Sequence, residues 1–359
     1  MNEFYKSKEK QLTEIEKQLL KERIFTSIRR IRIKRKLIGV GIAASIALLI
    51  GLSLYTQNNT KGTKSELQRM AQRSVMEPTQ ATDKITLILD EGKDVTIDTD
   101  ESEISYSKTG EQVRINNQNT VVQQNTSAIR TAKFNTLVVP YGKRTALTLS
   151  DGSKVWLNAG SKLVYPVAFG SNKREVYLVG EAIFDVIHDA NRPFKVLSKH
   201  QEIEVLGTVF NVNSYPDDAY NFVVLKEGSV KVSHENREKG FFTSKKKSFI
   251  IKPGTMSKIE LTTGRVMNKQ VVVSRYFAWQ KGHMILKNNQ LDYILKKLSR
   301  YYNIQIELEK PSLGKETFSG ALNLSDSLEE VLGIISKSSD TEYVKINDRH
   351  YKLKFNSKK

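Results

Sequence analysis

The stretch Ala146–Asn158, ALTLSDGSKVWLN, has the pattern of two β-strands joined by a tight turn. Apolar and polar residues alternate on both sides of Asp151-Gly152. Alternation with a period of two indicates strands with one buried face, and an Asp-Gly pair is favoured where a two-residue turn needs positive φ angles. The stretch therefore predicts an antiparallel β-hairpin that turns at Asp151-Gly152.

The same pattern recurs along the middle of the chain. ITLILDEGKDVTID (85–98) predicts a hairpin around Glu91-Gly92, and NFVVLKEGSVKVS (221–233) predicts one around Glu227-Gly228. IEVLGTVFNVNSY (203–215) reads as a single strand with Gly207 and Thr208 in its interior. Short strands at close spacing, with turn residues between them, predict an all-β domain of short antiparallel strands over residues 84–278.

After Trp279 the apolar period changes from two to 3.6. Leu291, Ile294, Leu295 and Leu298 form a helical stripe, and a strand follows it. A second strand, helix and strand come next, and Asp326 and Glu329 are spaced as a helix capping box. Residues 279–359 therefore predict a small α+β domain that writes the strand–helix–strand unit twice. The predicted fold class is mainly β.

Composition excludes several kinds of chemistry. The 359 residues contain no cysteine, so disulfides, thiolate metal sites and cysteine nucleophiles are absent. The formal net charge is +18, which is typical of proteins that meet nucleic acid or an anionic membrane. Because the charge is spread along the chain, we favour a generally basic surface and predict no direct nucleic-acid binding.

An uncharged run, LIGVGIAASIALLIGLSLY at residues 37–55, is long enough to cross a bilayer as one helix. Six cations precede it directly: Arg29, Arg30, Arg32, Lys34, Arg35 and Lys36. Such flanking cations stay in the cytoplasm, so the N-terminus is predicted inside and the bulk of the chain outside. A cleaved signal peptide is the alternative, but 36 residues precede the run and no A-x-A-like site follows it.

Residues 1–36 are predicted to form a cytoplasmic helix. Ile15, Leu19, Ile24 and Ile28 lie at helical spacings and share one apolar stripe. Two interpretations remain open: a helix that lies on anionic lipid, or one that binds in a groove of a cytosolic partner. Residues 56–83 are polar and poor in aromatics, and we interpret them as a linker.

The sequence contains no recognisable catalytic constellation. The five histidines are isolated, and no nucleophile–base motif, metal-ligand spacing or phosphate-binding glycine loop occurs. Glu181, Asp185 and Asp189 are interpreted as turn or surface carboxylates. We therefore predict no enzyme, metal or cofactor, and favour a receptor or adaptor that crosses a membrane.

Several segments resemble the signature of the FecR family of anti-sigma factors. They are VPYGKRTALTLSDGSKVWLNAGSKLVYPVAF, REVYLVGEAIFDV, RPFKV and VLGTVFNVNSYPDD, which lie between Leu137 and Ser233. The last part of the chain, with LDYILKKLSRYYNIQIELE, is similar to the short N-terminal domain of secretins and TonB-dependent transporters.

The resemblance implies a location and two partners. Family members sit in the inner membrane with most of the chain in the periplasm. Residues 1–36, with the stripe Ile15, Leu19, Ile24 and Ile28, would hold an extracytoplasmic-function sigma factor. The periplasmic part would sense the N-terminal signalling domain of a TonB-dependent outer-membrane transporter. The rival hypotheses are a membrane-tethered module that binds the envelope or a glycan without sigma-factor control, and an anchored hydrolase.

Gly207-Thr208 has two interpretations. Glycine in a strand permits a bulge, and threonine is a good strand former. Alternatively, the Thr208 hydroxyl attacks the Gly207 carbonyl and water cleaves the resulting ester, as in some relatives that carry the same pair. A hydroxyl needs a base or strain to act as a nucleophile. The sequence offers no obvious base, and His200 is the nearest histidine in the chain.

Overall fold

The computed structural model describes residues 83–90, 93–115, 120–124, 133–234, 247–339 and 341–356, and the single positions 18, 21, 22, 25, 51 and 67. The chain forms two compact units, Met1–Thr63 and Lys64–Lys359. We describe each unit by itself.

Eighteen strands build the β-domain of the second unit, within the described residues. They are β1 Ile85–Ile88, β2 Asp94–Ile97, β3 Glu101–Tyr106, β4 Gln112–Ile115, β5 Thr120–Gln123, β6 Phe134–Val139, β7 Arg144–Thr148, β8 Lys154–Leu157, β9 Ser161–Pro166, β10 Arg174–Asp185, β11 Phe194–Leu197, β12 Gln201–Val205, β13 Val209–Ser214, β14 Tyr220–Glu227, β15 Val230–His234, β16 Lys247–Ile251, β17 Thr255–Glu260 and β18 Val266–Gln270.

The strands form two layers that share β10. The first layer has the order β2-β1-β6-β9-β10-β11-β12-β15-β16. The second has the order β5-β4-β3-β7-β8-β10-β13-β14-β17-β18. The 12-residue strand β10 pairs in the first layer up to Val179 and in the second from Gly180 onward.

One hydrophobic core lies between the layers. Alternate residues of both layers point into it, for example Val176 and Phe184 of β10 and Phe210 of β13. This arrangement agrees with the predicted all-β domain. Two pairings differ from the antiparallel prediction, because β3 runs parallel to β7 and β10 runs parallel to β11.

The hairpin in Ala146–Asn158 is present, but its turn differs from the prediction. Thr148 pairs with Lys154, and the Leu149 amide donates to the Ser153 carbonyl at 2.9 Å, which leaves a three-residue loop. Only Gly152 has a positive φ, +86°. A three-residue loop with its glycine in the left-handed region replaces the predicted two-residue turn, which would need positive φ at both residues.

Two further predictions about strand connections are wrong. Residues 203–215 are not one strand, because β12 ends at Val205 in the first layer and β13 begins at Val209 in the second. Glu227-Gly228 is not a hairpin turn, since β14 pairs with β13 and β17 while β15 pairs with β12 and β16. Both segments carry the chain from one layer to the other.

A connector and an α+β domain follow β18. The connector contains helix α1 (Ser274–Phe277) and a 3-10 helix (Ala278–Lys281). The C-terminal domain consists of β19 His283–Gln290, α2 Leu291–Tyr302, β20 Gln305–Leu308, a 3-10 helix Pro311–Lys315, β21 Thr317–Asn323, α3 Leu328–Lys337, β22 Thr341–Asn347 and β23 His350–Phe355. The strand–helix–strand unit occurs twice, as predicted.

The two strand–helix–strand units of the C-terminal domain pair their strands with each other and share one core. β19 pairs with β21, and β20 pairs in parallel with β23, which also pairs with β22. The apolar stripe of α2, including Leu291 and Leu298, packs in one core with Leu332 of α3. The cap of α3 is shifted by one residue from the prediction, because Ser327 and Glu330 form the capping box in place of Asp326 and Glu329.

Little of the first unit is described. Gln18, Lys21, Glu22 and Phe25 are helical, and so is Gly51. The rest of the predicted membrane span 37–55 lies outside the described residues. In the part of the chain that the structure describes, no helix is long and apolar enough to cross a bilayer.

Candidate functional site

The Gly207-Thr208 pair lies where the chain changes layers. The Thr208 amide donates to the Val186 carbonyl at 3.3 Å, and the Val186 amide donates to the Thr208 carbonyl at 3.1 Å. The Asp189 amide donates to the Leu206 carbonyl at 2.8 Å. These bonds hold the crossing against the segment that follows β10. A register shift between Val209 and Phe210 follows directly, so the bulge lies just beyond the pair.

Gly207 is required by a close backbone approach. A Cβ atom there would lie 2.6 Å from the Cα atom of His188, a distance that no side chain tolerates. The Thr208 hydroxyl is buried and donates to the Ser229 carbonyl at 3.1 Å. The histidine beside the pair is therefore His188, whereas sequence distance pointed to His200, which precedes the opposite end of β12.

A buried arginine connects this crossing to the hairpin in Ala146–Asn158. Arg174 is 1% exposed, and its Nη1 atom donates to Asp151 Oδ2 and to the Ile187 carbonyl, both at 2.8 Å. Its Nη2 atom donates to the Leu206 carbonyl at 3.4 Å. Asp151 also accepts from the amide and hydroxyl of Ser153. The Asp151 carboxylate therefore stabilises its own turn and the layer crossing at the same time.

The C-terminal domain contacts the β-domain through buried ion pairs. Lys297 of α2 lies 3.1 Å from Glu181 of β10, which is 1% exposed and also accepts from Asn158 Nδ2 at 2.9 Å. Burial alone would lower the pKa of Lys297, but its surroundings, Glu181 foremost and Asp218 among them, raise that pKa. Glu181 is thus a buried interface carboxylate, and its interpretation as a turn or surface group is wrong.

A second ion pair lies one helical turn further along α2. Arg300 contacts Asp217 Oδ2 at 2.8 Å and Asp218 Oδ1 at 2.6 Å, and its guanidinium lies 3.8 Å from the ring centroid of Tyr215. Burial raises the pKa of Tyr215, which stays protonated and donates to the Ala159 carbonyl at 2.6 Å. Lys297 and Arg300 therefore dock one face of α2 on the β-domain.

The C-terminal domain also presents an exposed sheet edge. Among the described residues β22 pairs with β23 alone, so its other side is open. Val344 and Ile346 on this strand are 40% and 52% exposed. An open edge with apolar side chains can accept an added strand from another protein.

The other predicted site residues lie in the first unit. Ile15, Leu19, Ile24 and Ile28 are outside the described residues, as are the six cations Arg29, Arg30, Arg32, Lys34, Arg35 and Lys36. Phe25, which the predicted stripe leaves out, is helical and 69% exposed. No group of three or more His, Asp or Glu side chains in the described ranges is placed to hold a metal ion.

Both parts of the second unit match known family descriptions. The sequence matches the FecR protein family model over residues 127–231 and the FecR, C-terminal model over residues 283–353. The chain belongs to the FecR family. Residues 127–231 contain both the hairpin in Ala146–Asn158 and the layer crossing at Gly207-Thr208. Residues 283–353 contain α2, whose ion-pairing face contacts the β-domain.

Two crystal structures resemble this FecR chain. Both are of a candidate anti-sigma factor from Parabacteroides distasonis, determined at 1.65 Å and 2.50 Å resolution. Each is 29% identical in sequence with a TM-score of 0.56, and covers 62% of this chain. The match includes 99% of one and 100% of the other. No curated protein sequence matches the chain.

Proposed function

We propose that this FecR protein is a single-pass inner-membrane anti-sigma factor. It relays the ligand-occupied state of a TonB-dependent outer-membrane transporter to an extracytoplasmic-function sigma factor. The match to both FecR regions carries this proposal, and the similarity to the Parabacteroides distasonis protein supports it. The ion-paired C-terminal domain and its open edge strand provide an outer surface for a protein partner.

The topology follows from the charge asymmetry around residues 37–55. Six cations stand directly before the run, and the first cation after it is Lys61. We expect a reporter enzyme that works only in the periplasm to be active when it is fused after Lys359. A reporter that works only in the cytoplasm should be active when it is fused after Lys36. Cytoplasmic activity of the fusion after Lys359 would contradict the proposed topology.

The inner contact is assigned to the apolar stripe of residues 1–36. Apolar anchors that enter a groove of a partner carry much of an interface's binding energy. Leu19→Asp with Ile24→Asp should abolish control of the target genes, measured as transcription with and without inducer. Gln11→Asp with Gln18→Asp adds the same charge and should regulate normally. Normal regulation by the Leu19→Asp, Ile24→Asp variant would mean that the helix only connects to the membrane span and does not bind the sigma factor.

The outer contact is assigned to the edge strand β22. Strand addition needs free backbone groups and tolerates few charges at the edge, so lysines there should block it. Val344→Lys with Ile346→Lys should lower the ligand-dependent transcriptional response. Val121→Lys with Ile250→Lys places the same charges at exposed apolar sites of the β-domain and should leave the response unchanged. Equal responses from the two variants would move the sensing surface away from β22.

A further inference from the structure

A cleft of about 440 Å³ separates the β-domain from the C-terminal domain. Its first wall is the outer face of the second layer, formed by β14, β17 and β18, and its second wall is formed by β19 and the first turns of α2. Aromatic side chains line its floor, where the Tyr220 ring stacks on Tyr293 and Phe222 meets Tyr276 edge to face. Sites for small molecules commonly have volumes of about 300–1,000 Å³.

Cations line both walls of this cleft. They are Lys258, Lys269, Arg275, Lys287, Lys296 and Lys297. Lys297 pairs with Glu181, and Lys296 donates to the Asp217 carbonyl at 2.6 Å. Lys258, Lys269, Arg275 and Lys287 form no ion pair with a carboxylate of the described residues. Arg275 instead donates to Asn289 Oδ1 at 2.8 Å and to the backbone of β19.

The two carboxylates of the cleft are already engaged. Asp218 accepts from Arg300 at 2.6 Å, and Asp292 Oδ1 accepts from the Tyr293 amide at 2.6 Å. Burial lowers the pKa of Lys258, the like charge of Lys269 lowers it further, and Glu260 opposes both in part. Lys258 and Lys269 therefore repel each other on the first wall. The six cations of the lining therefore outnumber its two carboxylates, and the cleft carries an excess of positive charge.

A strained turn lies at the edge of the same cleft. The pairing of β19 with β21 shifts between Leu286 and Asn289, and Asn288 in this bulge has a φ of +52°. Ser319 fixes the turn, because its hydroxyl accepts from the Asn288 amide at 2.9 Å and donates to Asn288 Oδ1 at 3.1 Å. Bulges often re-aim side chains beside binding sites, and non-glycine residues rarely adopt a positive φ. This bulge directs Lys287 and Asn288 to the cleft lining.

We infer that this cleft binds a small polyanion, with at least two carboxylate or phosphate groups, that bridges Lys258 and Lys269 of the β-domain to Lys287 of the C-terminal domain. One acid group neutralises the repelling lysines of the first wall, and another reaches the second wall. Because the ligand contacts both domains, its binding stabilises their docked arrangement by mass action. The inference does not depend on the proposed sigma-factor contact.

The test measures binding of two probes, inorganic pyrophosphate and propane-1,2,3-tricarboxylate, to the full chain by calorimetry at constant ionic strength. Lys258→Gln with Lys269→Gln should weaken both probes at least about tenfold, since each removes a charge-assisted contact. Lys154→Gln with Lys252→Gln changes the net charge equally at exposed positions outside the cleft, and should leave the affinity unchanged. This combination of results supports the inference.

Three outcomes would overturn it. If neither probe binds the wild-type chain, the cleft is not a polyanion site. If the two lysine pairs weaken binding equally, the probes respond to the basic surface in general. If only a glutamate-rich peptide binds, and binds through Lys258 and Lys269, the cleft receives an acidic protein segment instead of a small molecule. Circular dichroism of each variant establishes that it is folded.

Discussion

At the residue scale, the pair Arg174–Asp151 is the most deeply buried charge pair of the β-domain, within the described residues. Replacing Arg174 by Ala would leave the Asp151 carboxylate buried without its cation. Loss of one partner of a buried pair costs about 3–5 kcal/mol. We expect Arg174→Ala to lower the free energy of unfolding by about that amount, measured by urea denaturation followed by tryptophan fluorescence.

The neighbouring Lys173 provides the matched control. Its pair with Glu175 is largely exposed on the lysine side, and such surface pairs contribute at most about 1 kcal/mol. Lys173→Ala should therefore change the unfolding free energy by no more than that. Equal changes in the unfolding free energy would show that the buried pair stabilises the fold no more than the exposed pair does.

Gly207-Thr208 allows a second test at the same scale. The self-cleavage hypothesis predicts two pieces after denaturation, one ending at Gly207 and one starting at Thr208. Thr208→Ala should abolish the cut, and Thr208→Ser should keep it because serine retains a hydroxyl. Electrophoresis with N-terminal sequencing identifies the pieces. A single intact band from the wild-type chain would leave Gly207 with only the steric role that His188 gives it.

At the element scale, β15 ends on a buried histidine. Burial lowers the pKa of His234 to about 4, and the backbone of His200 opposes this shift in part. Between about pH 6.5 and 4 the unfolded chain binds a proton at this position that the folded chain does not bind. His234 therefore does not lower the free energy of unfolding above about pH 6.5, and it lowers that free energy progressively as the pH falls towards 4.

The expected loss for His234 is about 2 kcal/mol between pH 7.5 and pH 5. His234→Gln cannot titrate, so its stability should fall by about 2 kcal/mol less over the same range. Denaturation of both chains at the two pH values measures this difference, because the other titrating groups contribute equally to both. Parallel pH profiles would contradict a buried neutral His234.

Strand identity was predictable from the sequence, but strand pairing was not. Alternation gives the same signal whether a strand continues into a hairpin or crosses to the other layer. Glu227-Gly228 reads as a hairpin turn and Gly207-Thr208 as the interior of a strand, yet both connect layers. The cap of α3 shows a similar limit, because Asp326-Ser327 followed by Glu329-Glu330 offers two overlapping capping boxes. Only the Ser327 box leaves Leu328 at the first position of the helix.

At the scale of the whole molecule, the two-domain order was predictable and the contact between the domains was not. Glu181 and Lys297 are 116 residues apart, and nothing in the local pattern around either one names the other. Glu181 stands in the apolar strand VYLVGEAIFD, and this setting was the one available sign that its carboxylate is buried. Arg174 likewise reads as an ordinary charge at the start of a strand.

The Lys297–Glu181 pair makes a prediction about domain docking. Lys297→Met should leave Glu181 buried without a cation and loosen the docking of α2 on β10. Glu181→Gln in the same chain should restore part of the loss, because the uncompensated charge is then gone. Hydrogen exchange of the connector 271–282 measures the docking. Equal exchange in the single and double variants would mean that the ion pair does not couple the domains.

The central claim is that residues 1–36 of this FecR protein hold a sigma factor, and its most direct measurement is capture by the full chain. The chain is purified in detergent from the cells that make it, and bound proteins are identified by mass spectrometry. We expect one extracytoplasmic-function sigma factor on the wild-type chain and on the Gln11→Asp, Gln18→Asp control, and none on the Leu19→Asp, Ile24→Asp chain. Absence of any sigma factor from the wild-type chain, or equal capture by all three, would contradict the account.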